Sequence, residues 1–225
     1  MSRAQAHLFE HLPKGLPPQA RVYANGLVHV PAYLDPPAQH LLLSDIEAAL
    51  AAAPLFQPVM PKTGKAFSVR MSNCGPFGWV SDRAGGYRYQ TLHPETGKPW
   101  PKIPAAALQA WTDLAAYAFA PEACLINYYD VSARMGLHQD RDEADLAAPV
   151  LSLSLGSSCI FRVGGTARGG KTTALELASG DAVVLAGASR FAYHGVARII
   201  PGTSALLPAA GRINLTLRRV TRPSP

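Results

Sequence analysis

Residues 212–218 read Arg-Ile-Asn-Leu-Thr-Leu-Arg, an unbroken alternation of polar and apolar side chains. Successive side chains of a β-strand point to opposite faces, so the alternation predicts a strand with one apolar, buried face. The other face would carry Arg212, Asn214, Thr216 and Arg218. Two guanidinium groups on one face suit bidentate binding of carboxylates, although a solvated edge strand with surface arginines would show the same pattern.

This strand is the last of a series. Short β-rich runs follow one another after residue 120, separated by glycine and serine clusters: 123–130, 149–155, 159–163, 173–177, 182–186, 191–199 and 212–220. Many short strands with such punctuation indicate a β-sandwich or barrel. Further upstream, apolar residues at helical spacing predict two helices, Pro36–Ala53 and Pro104–Phe119. An Asn-Gly turn within residues 21–30 predicts a hairpin or the start of a strand.

The chain has 225 residues, of which 48% are hydrophobic and 16% charged, a composition that excludes an intrinsically disordered protein. We predict a single domain over residues 1–225. Its parts are a loose N-terminal arm (1–20), a region of helices and an α/β lid (21–120), and a β-rich core (121–220). The segment 57–103, rich in glycine, proline and aromatic residues, is expected to be functional or partly hairpin.

Net charge, targeting signals and cysteine content indicate the expected partners and cellular compartment. The formal net charge of +6 favours polyanionic partners, but only weakly. No stretch approaches the ~20 apolar residues of a membrane span, and the N-terminus has no apolar signal core, so a cytoplasmic protein is expected. The three cysteines, Cys74, Cys124 and Cys159, are odd in number and far apart, which favours reduced thiols in the core.

A metal site is suggested by His138 and Asp140, which are two residues apart. If this segment is a strand, both side chains point to one face and can share an ion. His194, in another β-rich run, offers a second imidazole, and two histidines with one carboxylate form the facial triad of non-haem Fe(II) oxygenases. A His-X-Asp pair also arises by chance, and either histidine could be an ordinary core residue.

Several further motifs lie in the same order along residues 55–219 as in a known family. They are Met-Ser-Asn-Cys-Gly-Pro-Phe-Gly-Trp (71–79), Pro-Glu-Thr-Gly-Lys-Pro-Trp-Pro (94–101), Ala-Cys-Leu-Ile-Asn-Tyr-Tyr (123–129), His-Gln-Asp-Arg-Asp-Glu (138–143), Ser-Leu-Ser-Leu-Gly (152–156), Tyr-His-Gly (193–195) and the strand at 212–218. The chain resembles the AlkB family of Fe(II)- and 2-oxoglutarate-dependent nucleic-acid demethylases. The resemblance implies a mainly β fold with flanking helices: a double-stranded β-helix, or jelly-roll, core with an N-terminal α/β nucleotide-recognition lid.

The resemblance also implies roles for individual residues. His138, Asp140 and His194 would bind the iron, which makes them the catalytic centre. The residues expected to hold 2-oxoglutarate are Asn127, Tyr129, Arg212, Asn214 and Arg218. Those expected to bind the substrate are Trp79, Tyr87, Arg134, Asp142, Ser152 and Arg168. Further cations that could contact the nucleic-acid backbone are Lys62, Lys65, Arg83 and Arg190.

The implied reaction uses Fe(II), 2-oxoglutarate and O2 to demethylate bases such as N1-methyladenine and N3-methylcytosine, releasing formaldehyde and succinate. Its partner would be alkylated DNA, with RNA as a second candidate, and the base would be flipped out or in a single strand. A monomer without a membrane partner is expected. Two alternatives stay open: a 2-oxoglutarate oxygenase acting on a protein or small molecule, and a non-catalytic basic β-barrel that binds nucleic acid.

Overall fold

The fold is built mainly from strands, as predicted. A computed structural model describes residues 15–223, and the expected arm at residues 1–20 lies largely outside them. The strands, numbered in chain order, are β1 (Arg21–Val22), β2 (Val28–Val30), β3 (Arg70–Cys74), β4 (Gly78–Asp82), β5 (Gly86–Gln90), β6 (Ala123–Tyr129), β7 (Val150–Gly156), β8 (Ser158–Val163), β9 (Thr173–Leu177), β10 (Ala182–Leu185), β11 (His194–Ile200) and β12 (Arg212–Arg218). The helices are α1 (Pro36–Ala52) and α2 (Ala105–Leu114).

The larger sheet has seven strands in the order β1-β2-β10-β7-β12-β6-β3. Strand β12 lies inside this sheet: Arg212 pairs with Tyr129 on one side and with Gly156 on the other. The apolar side chains of β12 pack with those of α1 and α2 on one face, in a cluster that includes Leu42, Trp111 and Leu215. Strand β12 is therefore a central strand, and its two arginines are not on a solvated edge.

The other face of the larger sheet packs against a three-stranded sheet in the order β11-β8-β9. A second apolar cluster fills the space between the two sheets, with Tyr129 from the larger sheet and Phe161 and Val196 from the smaller one. Two sheets around one core make up the predicted jelly roll, and the polar face of β12 points into its interior. Strands β4 and β5 pair only with each other, which confirms a hairpin within residues 57–103.

Local structure departs from the sequence prediction at two places. Helix α2 ends at Leu114 and not at Phe119, because the backbone turns at Ala116 (φ 48°) and the Trp111 indole N–H donates to the Phe119 carbonyl at 3.1 Å. The segment around His138 is not a strand but a loop that meets β11 at one isolated bridge, His138 with His194.

All three cysteines are buried free thiols, as the sequence predicted. Burial raises the pKa of Cys74 to about 12, so this thiol stays protonated near neutral pH. Among the helices that the structure describes, none combines the length and the apolar character that a bilayer crossing requires.

Candidate active site

The three predicted metal ligands converge. One ligand atom from each of His138, Asp140 and His194 lies within 4.8 Å of the other two. The His138 Nε2 is 3.6 Å from Asp140 Oδ1, and the His194 Nε2 is 3.7 Å from Asp140 Oδ2. His138 and His194, 56 positions apart in the sequence, are brought together because their backbones are hydrogen-bonded to each other in both directions, at 2.9 Å each.

Hydrogen bonds orient the two imidazoles. The Nδ1 of His138 lies 2.9 Å from the Gly136 carbonyl oxygen, and the Nδ1 of His194 lies 2.9 Å from that of Ala192. A carbonyl only accepts, so each Nδ1 carries the proton and each Nε2 presents a lone pair. Burial lowers the pKa of His194 to about 4, which keeps this imidazole neutral at physiological pH.

The Asp140 carboxylate stays ionised although it is buried. Burial alone would raise its pKa, but the positive charges of Arg218 and, more weakly, Arg190 outweigh that effect and hold the pKa well below its usual range. Arg218 Nη2 lies 2.8 Å from Oδ1, whereas Oδ2 is buried with no hydrogen-bond partner among the described residues. An unpartnered carboxylate oxygen beside two imidazole lone pairs is a donor set that fits a ferrous ion.

The residues expected to hold 2-oxoglutarate share one interior surface. The register pairs Arg212 with Tyr129 and Asn214 with Asn127, so these side chains point to the same side of the sheet. Arg218 lies at the end of this surface nearest Asp140, while Arg212 lies at the other end and donates to Ser154 Oγ at 2.6 Å.

Ser152 belongs to the same surface. The Asn214 side-chain amide donates to Ser152 Oγ at 2.5 Å, and Ser152 pairs with Thr216 across the strands. The sequence prediction grouped Ser152 with the substrate residues, and that role stays a prediction. The even-numbered residues of β7 face the interior, so this hydroxyl lies among the side chains expected to hold 2-oxoglutarate.

The two aromatic residues predicted to contact the base both lie on the hairpin. Trp79 on β4 and Tyr87 on β5 are stacked, with centroids 5.6 Å apart and planes 19° apart. The Trp79 indole N–H donates to Asp142 Oδ2 at 2.7 Å, which joins the hairpin to the loop that carries Asp140. Trp79 is almost buried, whereas Tyr87 is half exposed.

Two of the arginines predicted to contact the nucleic-acid backbone lie at the protein surface. Arg134 is exposed, and its backbone is held by hydrogen bonds with the Ser68 hydroxyl at 2.8 and 3.1 Å. Arg168 lies over the Tyr193 ring at 5.7 Å and lines a groove with Leu137 and Gly164. Since Leu137 and Tyr193 each precede a proposed metal ligand, the groove runs beside the metal site.

The prediction that Arg190 contacts the nucleic-acid backbone is wrong. Its side chain is buried and donates to the Ala148 carbonyl, the Asp140 carbonyl and Glu143 Oε2, at 2.7, 2.7 and 3.1 Å. A guanidinium held in this way cannot contact a phosphate. Lys62, Lys65 and Arg83 are exposed, as a contact with the nucleic-acid backbone requires.

Two residues without a predicted role complete the site. The Tyr89 hydroxyl donates to Glu143 Oε1 at 2.6 Å and accepts from Arg218 Nη1 at 3.0 Å. Tyr89 follows Tyr87 by two positions in one strand, and Glu143 ends the motif 138–143. Both were therefore near recognised residues, but only the fold brings them to Arg218.

Comparison with known proteins settles the family. The model of the 2OG-Fe(II) oxygenase superfamily matches residues 26–218. The alpha-ketoglutarate-dependent dioxygenase AlkB homolog of Caulobacter vibrioides (strain NA1000 / CB15N) is 52% identical over 84% of this chain and 85% of its own length. The chain belongs to the AlkB family. The AlkB family member of Escherichia coli (strain K12) is 42% identical over 81% of this chain and 85% of its own length.

A solved AlkB-family structure agrees with the fold. The structure of OsALKBH1 superposes with a TM-score of 0.73 and 27% identity, covering 89% of this chain and 99% of that one. Membership of the AlkB family makes the chain a 2-oxoglutarate-dependent dioxygenase that uses Fe(II) and O2, and the arrangement of His138, Asp140 and His194 fits the iron.

Proposed function

We propose that this dioxygenase oxidatively demethylates N-alkylated nucleobases, with His138, Asp140 and His194 as iron ligands. The observation that carries the proposal is the position of the ligand triad beside the hairpin aromatics. The Trp79 indole is hydrogen-bonded to Asp142, two residues after the ligand Asp140. An extruded base needs a flat ring on which to stack and an oxidising centre within reach, and the site offers both next to each other.

Each part of the site has a distinct task in this reaction. Bound ferrous iron, 2-oxoglutarate and O2 would supply the oxidising chemistry, with succinate and CO2 as by-products. Arg212, Arg218, Asn127, Asn214 and Tyr129 bind and orient the co-substrate carboxylates. The N-hydroxymethyl product then breaks down to formaldehyde and the repaired base. The jelly-roll interior holds these groups in place and limits the access of water.

Selection of the damaged base follows from charge. N1-methyladenine and N3-methylcytosine are cationic, whereas the undamaged bases are neutral. The Asp142 carboxylate and the faces of Trp79 and Tyr87 both favour a cation, the aromatic part by about 0.5–2 kcal/mol.

Exposed Arg134, Arg168 and the lid cations would contact phosphates, so binding should weaken as salt is raised. We further propose a monomer in the cytoplasm that acts on a flipped or single-stranded base.

The test is turnover of a methylated oligonucleotide with Fe(II), 2-oxoglutarate and ascorbate, in which formaldehyde and succinate are both measured. Formaldehyde that depends on the methylated base is expected. Succinate release that no oligonucleotide alters would favour a protein or small-molecule substrate, and tight binding without turnover would favour a non-catalytic binding protein. Matched DNA and RNA strands in the same assay would identify the preferred nucleic acid.

A further inference from the structure

Four charged side chains form a closed, buried group beside the proposed metal ligands: Asp140, Glu143, Arg190 and Arg218. Arg218 divides its guanidinium between two acids, with Nη2 2.8 Å from Asp140 Oδ1 and Nη1 3.3 Å from Glu143 Oε1. Arg190 Nη2 donates to Glu143 Oε2 at 3.1 Å. The two carboxylates and two guanidiniums have a formal charge that sums to zero.

Glu143 is the acid in this group that lacks a role in the proposed reaction. Its Oε1 contacts Arg218 and accepts from Tyr89, and its Oε2 accepts from Arg190, so neither oxygen is left for a metal. The side chain has no exposed area. A buried charge is poorly screened by solvent, so it acts on every other charge in the site.

We propose that Glu143 is a positioning residue whose negative charge sets the balance between the two charged ligands of the site, the divalent cation and the dianionic 2-oxoglutarate. Its charge offsets one of the two guanidiniums, so the buried group around Asp140 stays neutral and does not repel a cation. A ferrous ion and a 2-oxoglutarate dianion also cancel in charge, so the loaded site stays close to neutral. This inference rests on the proposed roles of Asp140 and Arg218.

Removal of the Glu143 charge should therefore affect the two ligands in opposite directions. The group would become a net monocation, which disfavours a cation and favours a dianion. If Glu143 only held the loop in place through Arg190, its loss would loosen the whole site, and both ligands would bind more weakly.

The experiment measures Mn²⁺ binding by electron paramagnetic resonance and 2-oxoglutarate binding at saturating Mn²⁺ by calorimetry, both on the full chain. For Glu143→Gln we expect a Mn²⁺ Kd about tenfold higher and a 2-oxoglutarate Kd that is unchanged or lower. The matched control is Glu47→Gln, which removes the same charge from the exposed side of α1 and should alter neither Kd. Parallel weakening of both ligands in Glu143→Gln would overturn the proposal.

A second variant tests charge independently of shape. Glu143→Gln combined with Arg190→Gln restores the formal charge, so its Mn²⁺ Kd should return to within about threefold of the wild-type value. Removing both partners leaves no lone buried charge, so this variant also serves if the single variant fails to fold. A double variant still tenfold weaker for Mn²⁺ would contradict the proposal. Retention of Mn²⁺ binding by Asp140→Ala would instead refute the metal site itself.

Discussion

At the scale of single residues, the metal site depends on which atoms have hydrogen-bond partners and which do not. The Nδ1 atoms of His138 and His194 are hydrogen-bonded to backbone carbonyls, while Asp140 Oδ2 has no hydrogen-bond partner among the described residues. The residue types and the spacing of His138 from Asp140 suggested the three ligands, and the resemblance to the AlkB family singled them out from the other histidines. The sequence could not predict Glu143, whose contacts with Tyr89, Arg190 and Arg218 exist only in the folded chain.

Asp140→Ala should abolish turnover while the chain still folds. The substitution removes the carboxylate that we propose to bind the metal, so Mn²⁺ affinity should fall by more than about a hundredfold. Arg218 keeps Glu143 as an anionic partner but loses the nearer of its two acids, so the thermal midpoint of the metal-free protein should fall while the chain stays folded. Formaldehyde release, Mn²⁺ titration and circular dichroism check these outcomes. Unchanged activity would remove Asp140 from the site.

Gly195→Ala should weaken metal binding without changing a ligand. A Cβ at Gly195 would lie 2.5 Å from the Met135 carbonyl oxygen and 2.7 Å from that of Gly136. The loop that carries His138 would therefore be pushed away from β11, at a cost of about 1–3 kcal/mol in unfolding free energy. Mn²⁺ titration should show a clearly higher Kd.

Gly136→Ala is the matched control for this prediction, because a Cβ there would meet nothing within 4 Å. It should bind Mn²⁺ with nearly the wild-type affinity. Equal effects of the two substitutions would show that the contact between this loop and β11 does not position the ligands.

At the scale of elements, the hairpin of β4 and β5 is held to the core by side chains and not by a shared sheet. Trp79 and Tyr89 each donate a hydrogen bond to the loop after Asp140. The motif 94–101 contributes Trp100, which packs against Gly78 and donates to the Gln90 carbonyl at 2.9 Å. That motif, recognised only by resemblance, therefore has a structural task at the base of the hairpin.

Gly78→Ala should impair nucleic-acid binding more than metal binding. Its Cβ would lie 2.3 Å from the Trp100 indole, so either the hairpin or the ring must move. We expect the Kd for a methylated oligonucleotide to rise about tenfold and the Mn²⁺ Kd to stay within about twofold, since the ligands lie on other elements. Fluorescence anisotropy and Mn²⁺ titration measure the two values. An unchanged oligonucleotide Kd would mean that the hairpin does not bind the substrate.

Element boundaries show where sequence periodicity is insufficient. Apolar residues continue at helical spacing beyond Leu114, yet α2 ends there. The Trp111 indole N–H donates a hydrogen bond to the Phe119 carbonyl, which requires the chain to turn back after the helix. The runs after residue 120 were predictable to within a few residues, because glycine and serine clusters mark where they end. The pairing order of those strands is not encoded in local alternation.

At the scale of the whole molecule, buried polar groups join distant parts of the chain. Asp181 accepts from His29 Nε2, the Ala32 N–H and the Ala178 N–H, each at 2.9 Å, and so ties the N-terminal strand β2 to β10. Nothing in the sequence linked His29 with Asp181, which are 152 residues apart. The division of the chain into arm, lid region and core remains a prediction.

Asp181→Asn should destabilise the fold and flatten its response to acid. Burial would raise the Asp181 pKa, but the hydrogen bonds from His29, Ala32 and Ala178 lower it below the ordinary value of 3.8. The unfolded chain therefore takes up this proton first, and stability is lost as pH falls below about 4. The asparagine variant should lose about 1–3 kcal/mol at neutral pH.

Urea unfolding between pH 2 and 7 would measure both effects. Asp45→Asn, on the exposed side of α1, is the matched control and should keep the wild-type pH dependence. If Asp181→Asn lost stability with acid as steeply as the wild type, the carboxylate could not be the source of the slope.

Because Trp79 and Tyr87 are stacked, one face of the Trp79 indole is already covered by the tyrosine ring before any base arrives. A base that stacks on the same face of Trp79 has to displace the tyrosine, so it exchanges one ring contact for another and stacking as such brings little net gain. Discrimination then depends on what a tyrosine ring cannot offer, a positive charge next to Asp142. The tyrosine would act as a built-in competitor that ordinary bases fail to displace.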